Sequence, residues 1–211
     1  LDAFALASER SARAQAAGAA NVLAFEGDQV RADNTDGAGL VRDVEMRLGL
    51  PLGGRLVLIL GAGGAARGVI HPLLEAGVAR VTIANRDAGR ARELARQVGD
   101  PRVRGGGFGL ASDALASGEH FDLLVNATSI GLAGERLPLP VAMFEHARLA
   151  FDMCYAARPT PFVAQAAEAG CAASDGLGML VEQAAESFLI WRGVRPETAS
   201  VYEALRAELL A

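Results

Sequence analysis

The chain has 211 residues, of which 51% are apolar and 21% charged, a composition typical of a globular protein with a sizeable core. Its formal net charge of −5 offers no basic surface for a nucleic-acid backbone. No apolar run approaches the roughly 18 to 20 residues of a membrane helix. The composition therefore argues against nucleic acid and membrane as partners and leaves small molecules and other proteins.

Three features of the whole chain bear on where and how it works. Cys154 and Cys171 are isolated thiols without the spacing of metal ligands, and they suit a reducing compartment, the cytoplasm. All 20 basic residues other than histidine are Arg, and there is no Lys. The chain begins at Leu1 without a signal-peptide pattern, so we expect it to be the interior of something longer.

The first third of the chain predicts a helix, a hairpin and a second helix. Apolar positions at near-helical spacing over residues 2–17, followed by a glycine, predict a helix with its C-cap. Two short runs, 21–25 and 29–32, flank the Gly27-Asp28 pair and predict a hairpin. Apolar positions recur at helical intervals over residues 36–48, which predict the second helix.

Beyond residue 50, buried strands alternate with amphipathic helices. Strands are predicted at 55–60, 80–85, 121–128, 149–155 and 171–176, helices at 65–76, 88–98, 160–169, 177–191 and 197–210, and a glycine-rich loop at 105–107. Such alternation is typical of a parallel sheet with crossover helices. We predict an α/β fold, with a doubly wound Rossmann domain over residues 36–176 and flanking pieces too small to form a domain alone.

A glycine-rich turn between the first strand of this domain and its helix is the clearest motif. It has the G-x-G-x-x-A form typical of dinucleotide binding and comprises Gly61, Ala62, Gly63, Gly64, Ala65 and Ala66. Gly61 allows the tight turn, Gly63 lets the backbone approach a pyrophosphate, and Ala66 lets helix pack on strand. The helix amino terminus supplies the anion site. A tight turn without a ligand is the alternative.

The end of the second strand indicates which dinucleotide binds. An NAD-binding domain usually carries an acidic residue there for the ribose diol, whereas this chain has Asn85 followed by Arg86. Arg86 and Arg90, one turn later, suit the 2′-phosphate of NADP, because a guanidinium pairs with phosphate oxygens through two parallel hydrogen bonds. An ordinary solvated Arg face on a helix is the alternative.

Seven stretches, in order along the chain, resemble the shikimate dehydrogenase family. They are GAANVL (18–23), DNTDGAGL (33–40), GAGGAARGV (61–69), NRDAGRA (85–91), NATSIGL (126–132), DMCYAARPTPF (152–162) and DGLGMLVEQAAESFLIWRG (175–193). The family reduces 3-dehydroshikimate to shikimate with NADPH, a step in making aromatic amino acids. The resemblance implies that residues 1–35 are a remnant of the substrate domain and that the helices of residues 177–211 return to it.

The resemblance also implies roles for single residues. Asn21, Asp36, Tyr155 and Gln183 would bind the substrate, with Asp36 belonging to the catalytic pair. An Asp in a Thr-Asp-Gly turn before a helix is placed to accept a hydrogen bond from a reacting hydroxyl. The alternatives are a helix N-cap for Asp36, a packing role for Tyr155 and a surface amide for Gln183.

Six further positions would lie along the nicotinamide half of the cofactor. They are Asn126, Thr128 and Ser129, which end a buried strand, and Gly176, Gly178 and Met179, which open a late helix. The first three follow the carboxyl edge of the sheet, where open α/β sheets bind their ligands.

The amino-terminal half of the family, with a Ser pair, a substrate-binding Thr and a Lys that acts with the Asp in proton transfer, has no match here. We therefore expect the polypeptide of residues 1–211 to bind NADP but to show almost no dehydrogenase activity, and its apolar surface to favour a homodimer. Two alternatives stay open. One is a quinate or other polyol-acid dehydrogenase that uses NAD, and the other is a non-catalytic NADP-binding fragment.

Overall fold

The computed structural model describes residues 2–130 and 135–210. Leu1 and the Gly131-Leu132 end of the NATSIGL stretch lie outside them. The first described elements are α1 (Asp2–Leu6), β1 (Glu9–Arg10), α2 (Ala12–Ala17), β2 (Val22–Glu26), β3 (Gln29–Asp33) and α3 (Asp36–Arg42), which continues as a π-helical turn over Asp43–Arg47. β2 and β3 form the predicted antiparallel hairpin, and β1 pairs with β3 in parallel, so these strands make a three-stranded sheet in the order β1-β3-β2.

The prediction of a single helix over residues 2–17 is wrong. The chain leaves the helix after Leu6 and pairs residues 9 and 10 with β3. Ser11 then caps a new helix, because its hydroxyl accepts a hydrogen bond from the backbone N–H of Ala14 at 3.1 Å. The predicted glycine cap is confirmed, since Gly18 adopts a left-handed conformation with φ of 60°.

The rest of the described chain forms a second, six-stranded sheet covered by helices. Its elements are β4 (Leu56–Leu60), α4 (Gly64–Glu75), β5 (Arg80–Ala84), α5 (Ala88–Val98), β6 (Val103–Gly106), α6 (Phe108–Ala116), β7 (Leu123–Asn126), α7 (Val141–Glu145), β8 (Leu149–Asp152), α8 (Pro161–Glu168), β9 (Ala173–Ser174), α9 (Leu177–Arg192) and α10 (Ala199–Leu210). All strands are parallel, in the order β6-β5-β4-β7-β8-β9. The predicted α/β Rossmann fold is confirmed.

The glycine-rich segment 105–107, predicted as a loop, is largely strand. β6 runs through Gly106, and a Cβ at Gly105 would lie only 2.1 Å from the carbonyl oxygen of Ala91 on α5. Glycine is therefore used here for close packing of strand on helix. Helices α6 and α7 were not predicted.

Two glycines fix the position of α3 between α4 and α9. A Cβ at Gly37 would lie 2.3 Å from Cγ of Pro72 on α4, and one at Gly39 would lie 2.7 Å from the carbonyl oxygen of Met179 on α9. Neither contact leaves room for a side chain, so the backbone of α3 packs directly against α4 and α9. This packing brings the start of α3 and the start of α9 to the same edge of the six-stranded sheet.

Among the helices of the described ranges, none is both long enough and apolar enough to cross a membrane.

Candidate active site

A cleft of about 590 Å³ lies at the carboxyl ends of β7 and β8, facing α3 and α9. Its lining residues are Asn21, Asp36, Ala65, Ala127, Thr128, Ser129, Met153, Cys154, Tyr155, Met179, Leu180 and Gln183. The sheet order reverses between β4 and β7, and ligands of open α/β sheets bind at such a switch point. The volume is that of a pocket for a small molecule.

Three predicted substrate residues, far apart in sequence, touch one another in this cleft. The side-chain amide of Asn21, which follows α2, donates hydrogen bonds to Oδ1 of Asp36 at 2.8 Å and to Oε1 of Gln183 at 3.2 Å. Asp36 lies in the first turn of α3, and Gln183 lies on α9. The structure thus brings together polar groups from three separate elements.

Asp36 is not the N-cap of α3. Thr35 occupies that position, and its side chain makes no capping hydrogen bond. Burial raises the pKa of Asp36, and the hydrogen bond from Asn21 opposes this shift only in part. Oδ2 of Asp36 accepts no hydrogen bond from the described residues, so this oxygen is available to a ligand in the cleft.

A buried hydroxyl that sequence reasoning did not single out supports this cluster. Thr35 is fully buried, and its backbone N–H donates to Oδ1 of Asn21 at 2.9 Å. Its hydroxyl lies 3.2 Å from Oε1 of Gln183 and 3.1 Å from the hydroxyl of Ser187. Its place beside Asp36 in the DNTDGAGL stretch was the only signal for it in the sequence.

The glycine-rich turn fits a dinucleotide. Gly61 has φ of 108°, which only glycine adopts readily. Gly63 is the N-cap of α4 and has no side chain with which to cap it, while a Cβ at Gly63 or Gly64 would meet nothing within 4 Å. The first amides of α4 have no side-chain cap from the described residues, and the space beside the two glycines is open, as a pyrophosphate requires.

The predicted 2′-phosphate residues lie at the end of β5, in the turn that begins α5. Arg86 and Arg90 are both exposed. Asp87 caps α5 by accepting from the backbone N–H of Gly89 at 2.8 Å, and its carboxylate lies 3.6 Å from Nε of Arg90. The side-chain amide of Asn85 donates to the carbonyl oxygen of Asp87 at 3.0 Å and so holds the turn.

Of the three predicted residues at the carboxyl end of β7, two lie on the cleft wall, and Asn126, the last residue of the strand, lies beneath it. Thr128 and Ser129 line the cleft. Asn126 is fully buried, and its Oδ1 accepts from the backbone N–H and the hydroxyl of Thr128 at 3.0 and 2.7 Å. Asn126 therefore shapes the loop that carries Thr128 and presents no polar atom of its side chain to the cleft.

The three predicted residues at the start of α9 take different positions. Met179 lines the cleft. Gly176 packs against the neighbouring loop, since its N–H donates to the carbonyl oxygen of Cys154 at 3.0 Å. Gly178 faces the other way, because a Cβ there would lie 2.1 Å from Oδ1 of Asp43 in the π-helical turn. The structure thus places Gly178 away from the cleft wall.

Tyr155 lies on the cleft wall with 42% of its surface exposed, which fits both a substrate contact and the half-buried packing residue that was the alternative. Sequence reasoning missed its neighbours Met153 and Cys154, as well as Leu180 on α9 and Ala127 after β7. For Met153, Cys154 and Ala127 a signal existed, since each closely follows a strand at the carboxyl edge of the sheet.

Two family models and a curated relative match the chain. A family model described as "Shikimate / quinate 5-dehydrogenase" matches residues 44–130, and one described as "Shikimate 5'-dehydrogenase C-terminal domain" matches residues 176–206. A shikimate dehydrogenase (NADP(+)) of Dechloromonas aromatica is 52% identical over 211 residues, which are 100% of this chain and 76% of the relative.

Two solved structures are also similar. An Ael1 enzyme from Pseudomonas putida is 47% identical with a TM-score of 0.89, over 97% of this chain and 74% of that one. A shikimate 5-dehydrogenase from Thermus thermophilus, in complex with NADP(H) and shikimate, is 35% identical with a TM-score of 0.83, over 99% of this chain and 75% of that one. On this evidence the chain belongs to the shikimate dehydrogenase family of NADP-dependent oxidoreductases.

Proposed function

We propose that the cleft is the site of hydride transfer in an NADP-dependent shikimate dehydrogenase, an enzyme that reduces 3-dehydroshikimate to shikimate in the pathway to aromatic amino acids. One observation carries the proposal. The unoccupied amides at the start of α4 and the polar cluster of Asn21, Asp36 and Gln183 belong to the two sides of a single cleft, because Ala65 of α4 lines the same space as the cluster. A dehydrogenase needs its cofactor and its substrate to meet in this way.

In this proposal the substrate is bound by side chains that suit a polyhydroxylated acid. The amides of Asn21 and Gln183 and the phenol of Tyr155 both donate and accept hydrogen bonds, as ring hydroxyls require. Oδ2 of Asp36 hydrogen-bonds the oxygen at the reacting carbon, which is a carbonyl in the substrate and a hydroxyl in the product. Because burial raises the pKa of Asp36, its carboxyl group is suited to share the proton with that oxygen.

NADPH, when bound, supplies the hydride for the reduction. On the protein side, the first amides of α4 bind its pyrophosphate, and Arg86 and Arg90 bind its 2′-phosphate. Thr128, Ser129 and Met179 line the same cleft as Asp36, and in this proposal they contact the nicotinamide.

We propose the domain division that the sequence suggested. Residues 1–35 contain the three-stranded sheet and belong to the substrate domain, residues 36–176 form the cofactor domain, and residues 177–211 return to the substrate domain. Two hydrogen bonds support the last assignment. Trp191 on α9 donates its indole N–H to the carbonyl oxygen of Leu23 at 2.9 Å, and Arg13 of α2 donates to Glu186 of α9 at 2.8 Å.

Two further proposals concern the state of the protein in the cell. The exposed side chains of Phe25 and Trp191 support a homodimer, which light scattering would test, and a clean monomer would contradict it.

The free thiols Cys154 and Cys171 support a cytoplasmic location. Cell fractionation tests it, and recovery outside the cytoplasmic fraction would contradict it.

The experiment that tests the function uses two proteins. One is the polypeptide of residues 1–211, and the other is a chimera in which the part of the Dechloromonas aromatica relative outside the match is joined to it. The described residues that line the cleft include no cationic side chain, and the chain has no Lys. We therefore expect residues 1–211 to bind NADPH but to turn over far more slowly than the roughly 1–10³ per second of ordinary enzymes.

The chimera should reduce 3-dehydroshikimate at ordinary enzyme rates, measured as loss of NADPH absorbance. A chimera that binds NADPH but does not reduce 3-dehydroshikimate would overturn the proposed function. Ordinary turnover by residues 1–211 alone would show that the reaction needs no lysine. Preference for quinate and NAD over shikimate and NADP would favour the quinate alternative.

A further inference from the structure

Asp152, at the end of β8, is a fully buried carboxylate just beneath the cleft. Its Oδ1 accepts hydrogen bonds from the side-chain amide of Asn126 at 3.1 Å and from the backbone N–H of Cys154 at 3.0 Å. Its Oδ2 accepts from the hydroxyl of Thr160 at 2.6 Å. Asn126 is the last residue of β7, whereas Cys154 and Thr160 both lie in the connection between β8 and α8.

No cationic side chain within residues 2–130 and 135–210 lies at ion-pair distance from Asp152. Burial raises its pKa, and the hydrogen bonds from Thr160, Cys154 and Asn126 oppose the shift. A carboxylate buried without a counter-ion is costly, and an amide or hydroxyl would fill the same space. An amide would, however, turn its NH2 group toward one of the three donors, so the position requires a group that accepts hydrogen bonds on both oxygens.

The hydrogen bonds of Asp152 continue to both sides of the cleft. On one side, Asn126 also accepts from the backbone N–H and the hydroxyl of Thr128, which lines the cleft. On the other side, the Cys154 N–H bound by Asp152 directly precedes Tyr155, which also lines the cleft. One carboxylate thus connects the loop that carries Thr128 with the loop that carries Tyr155.

We infer that Asp152 is a positioning residue, which holds the loop of Thr128 and the loop of Tyr155 in the relative arrangement that the reaction requires. The inference rests on the proposed function, because it takes Thr128 as a cofactor contact and Tyr155 as a substrate contact. A negatively charged acceptor suits this task, since hydrogen bonds to a charged group are about twice as strong as neutral ones. Asp152 itself does not line the cleft, so it acts through its neighbours.

The test compares Asp152→Ala with Asp122→Ala. Asp122 is the control, because its carboxylate also accepts a backbone N–H bond, from Leu56 at 3.0 Å, but lies before β7 at the opposite edge of the sheet. It differs from Asp152 in also pairing with Arg55 and Arg148, so its removal should cost at least as much stability. Two measurements are made well below the unfolding temperature of each variant. One is the NADPH dissociation constant, and the other is the rate at which iodoacetamide alkylates Cys154, with buried Cys171 as the internal reference.

For Asp152→Ala we expect NADPH affinity to fall by about tenfold, since it removes hydrogen bonds to a charged group. We also expect alkylation of Cys154 to accelerate by about tenfold, because its loop opens more often and because the pKa of the Cys154 thiol, raised by burial and by the Asp152 charge, falls when that charge is gone. Variants at Thr160 keep this charge, so they report on the loop alone. Asp122→Ala should be less stable than the wild type and otherwise unchanged in both measurements. If Asp152→Ala instead loses only stability, as the control does, Asp152 is merely structural and the inference is overturned.

If Asp152→Ala does not fold, the inference is tested by comparing Thr160→Val with Thr160→Ser in the same two measurements. Valine removes the donor to Oδ2 of Asp152, whereas serine keeps it, so only valine should raise the Cys154 alkylation rate and the NADPH dissociation constant, each by about threefold. Identical behaviour of the two variants would overturn the inference. A wild-type chain that does not bind NADPH would count against the proposed function instead, which keeps the two failures distinct.

Discussion

The two sides of the cleft are built in different ways. The cofactor side uses local features of single turns: the bare amides of Gly64 and Ala65 at the start of α4, and the exposed guanidiniums of Arg86 and Arg90 after β5. The substrate side uses side chains that are distant in sequence and touch one another, since Asn21 bonds both Asp36 and Gln183 across 15 and 162 positions.

This difference predicts how each side responds to change. A turn that binds a ligand through its own backbone depends on one segment, so a substitution there affects the cofactor and little else. A cluster assembled from α3, α9 and the segment after α2 depends on helix packing as well as on its own side chains. A change in either the helices or the cluster should therefore impair the binding and reduction of the substrate before it affects the binding of the cofactor.

The largest effect is expected for Asp36→Asn in the chimera. This change removes the carboxylate that shares a proton with the substrate but leaves the amides of α4 and the Arg pair intact. We expect kcat/KM for 3-dehydroshikimate to fall by roughly 10²–10⁴-fold, the usual contribution of a positioned acid or base. The NADPH dissociation constant, measured by titration, should not change.

Asp28→Asn is the matched control, because Asp28 is an exposed carboxylate in the turn between β2 and β3. It should match the wild type in both measurements. If Asp36→Asn weakened NADPH binding as much as it slowed turnover, the two sides of the cleft would not be separable.

A smaller effect, confined to the cofactor side, is expected when Arg86 and Arg90 are both changed to Gln. Loss of the charge-assisted hydrogen bonds to the 2′-phosphate should weaken NADPH binding by about 10–100-fold. Binding of NADH, which lacks that phosphate, should stay the same. Titration of each variant with both cofactors gives the ratio of NADPH to NADH affinity.

Arg92→Gln serves as the control, since Arg92 is another exposed arginine of α5. It should leave the ratio of NADPH to NADH affinity at the wild-type value. If it lowered the ratio as far as the double change does, general charge on α5 rather than the Arg pair would select the cofactor.

The third prediction disturbs the packing on which the substrate side depends. Gly39→Ala places a Cβ 2.7 Å from the carbonyl oxygen of Met179 and 2.8 Å from Cβ of Gln183, so α3 and α9 must move apart. We expect the free energy of unfolding to fall by about 2 kcal/mol, as overpacking usually costs. Denaturant unfolding measures this change.

Gly109→Ala is the control, because Gly109 lies in α6 and a Cβ there would meet nothing within 4 Å. Alanine is the better helix former, so the free energy of unfolding of this variant should rise by up to about 1 kcal/mol. A Gly39→Ala variant that also gained stability would show that α3 and α9 are not in tight contact.

The two sides of the cleft also differ in how far the sequence predicts them. The Rossmann sheet follows from alternating buried strands and helices, and the Gly61–Ala65 turn from local spacing, so both can be predicted from the residues alone. The role of Asp36 came only from the family resemblance, because nothing in the local pattern brings Asn21 and Gln183 to it.

Some features depend on contacts that the sequence does not reveal. The break between α1 and α2 depends on pairing of residues 9 and 10 with β3, which is a long-range contact. The strand at Gly105 resembles a loop, because its glycine is needed for contact with α5 rather than for a turn. Thr35 and Asp152 are polar residues whose importance lies in partners that only the fold supplies.

The smallest effect concerns stability against pH and contrasts two carboxylates three residues apart. Because burial raises the pKa of Asp36, its unfolded form releases the proton at a lower pH than its folded form does. Stability is therefore lost as pH rises from the ordinary Asp value through the folded pKa, and it then stays level. The Asp36→Asn variant has no carboxyl group at this position and so carries no such loss. We expect thermal unfolding to show that the stability of this variant relative to the wild type increases as pH rises through the same window.

Asp33 should behave in the opposite way. Burial acts to raise its pKa, but the hydrogen bonds from Arg13 at 2.9 and 3.0 Å and from Ser11 at 2.6 Å outweigh it, so the pKa is lowered. Its contribution to stability is present above the ordinary Asp value and is lost as pH falls through the folded pKa. Asp33→Asn should thus be less stable than the wild type at neutral pH, with the deficit shrinking in acid. If the stability difference from the wild type changed with pH in the same way for both variants, Asp36 would not be desolvated. The proton-sharing role proposed for it would then lose its physical basis.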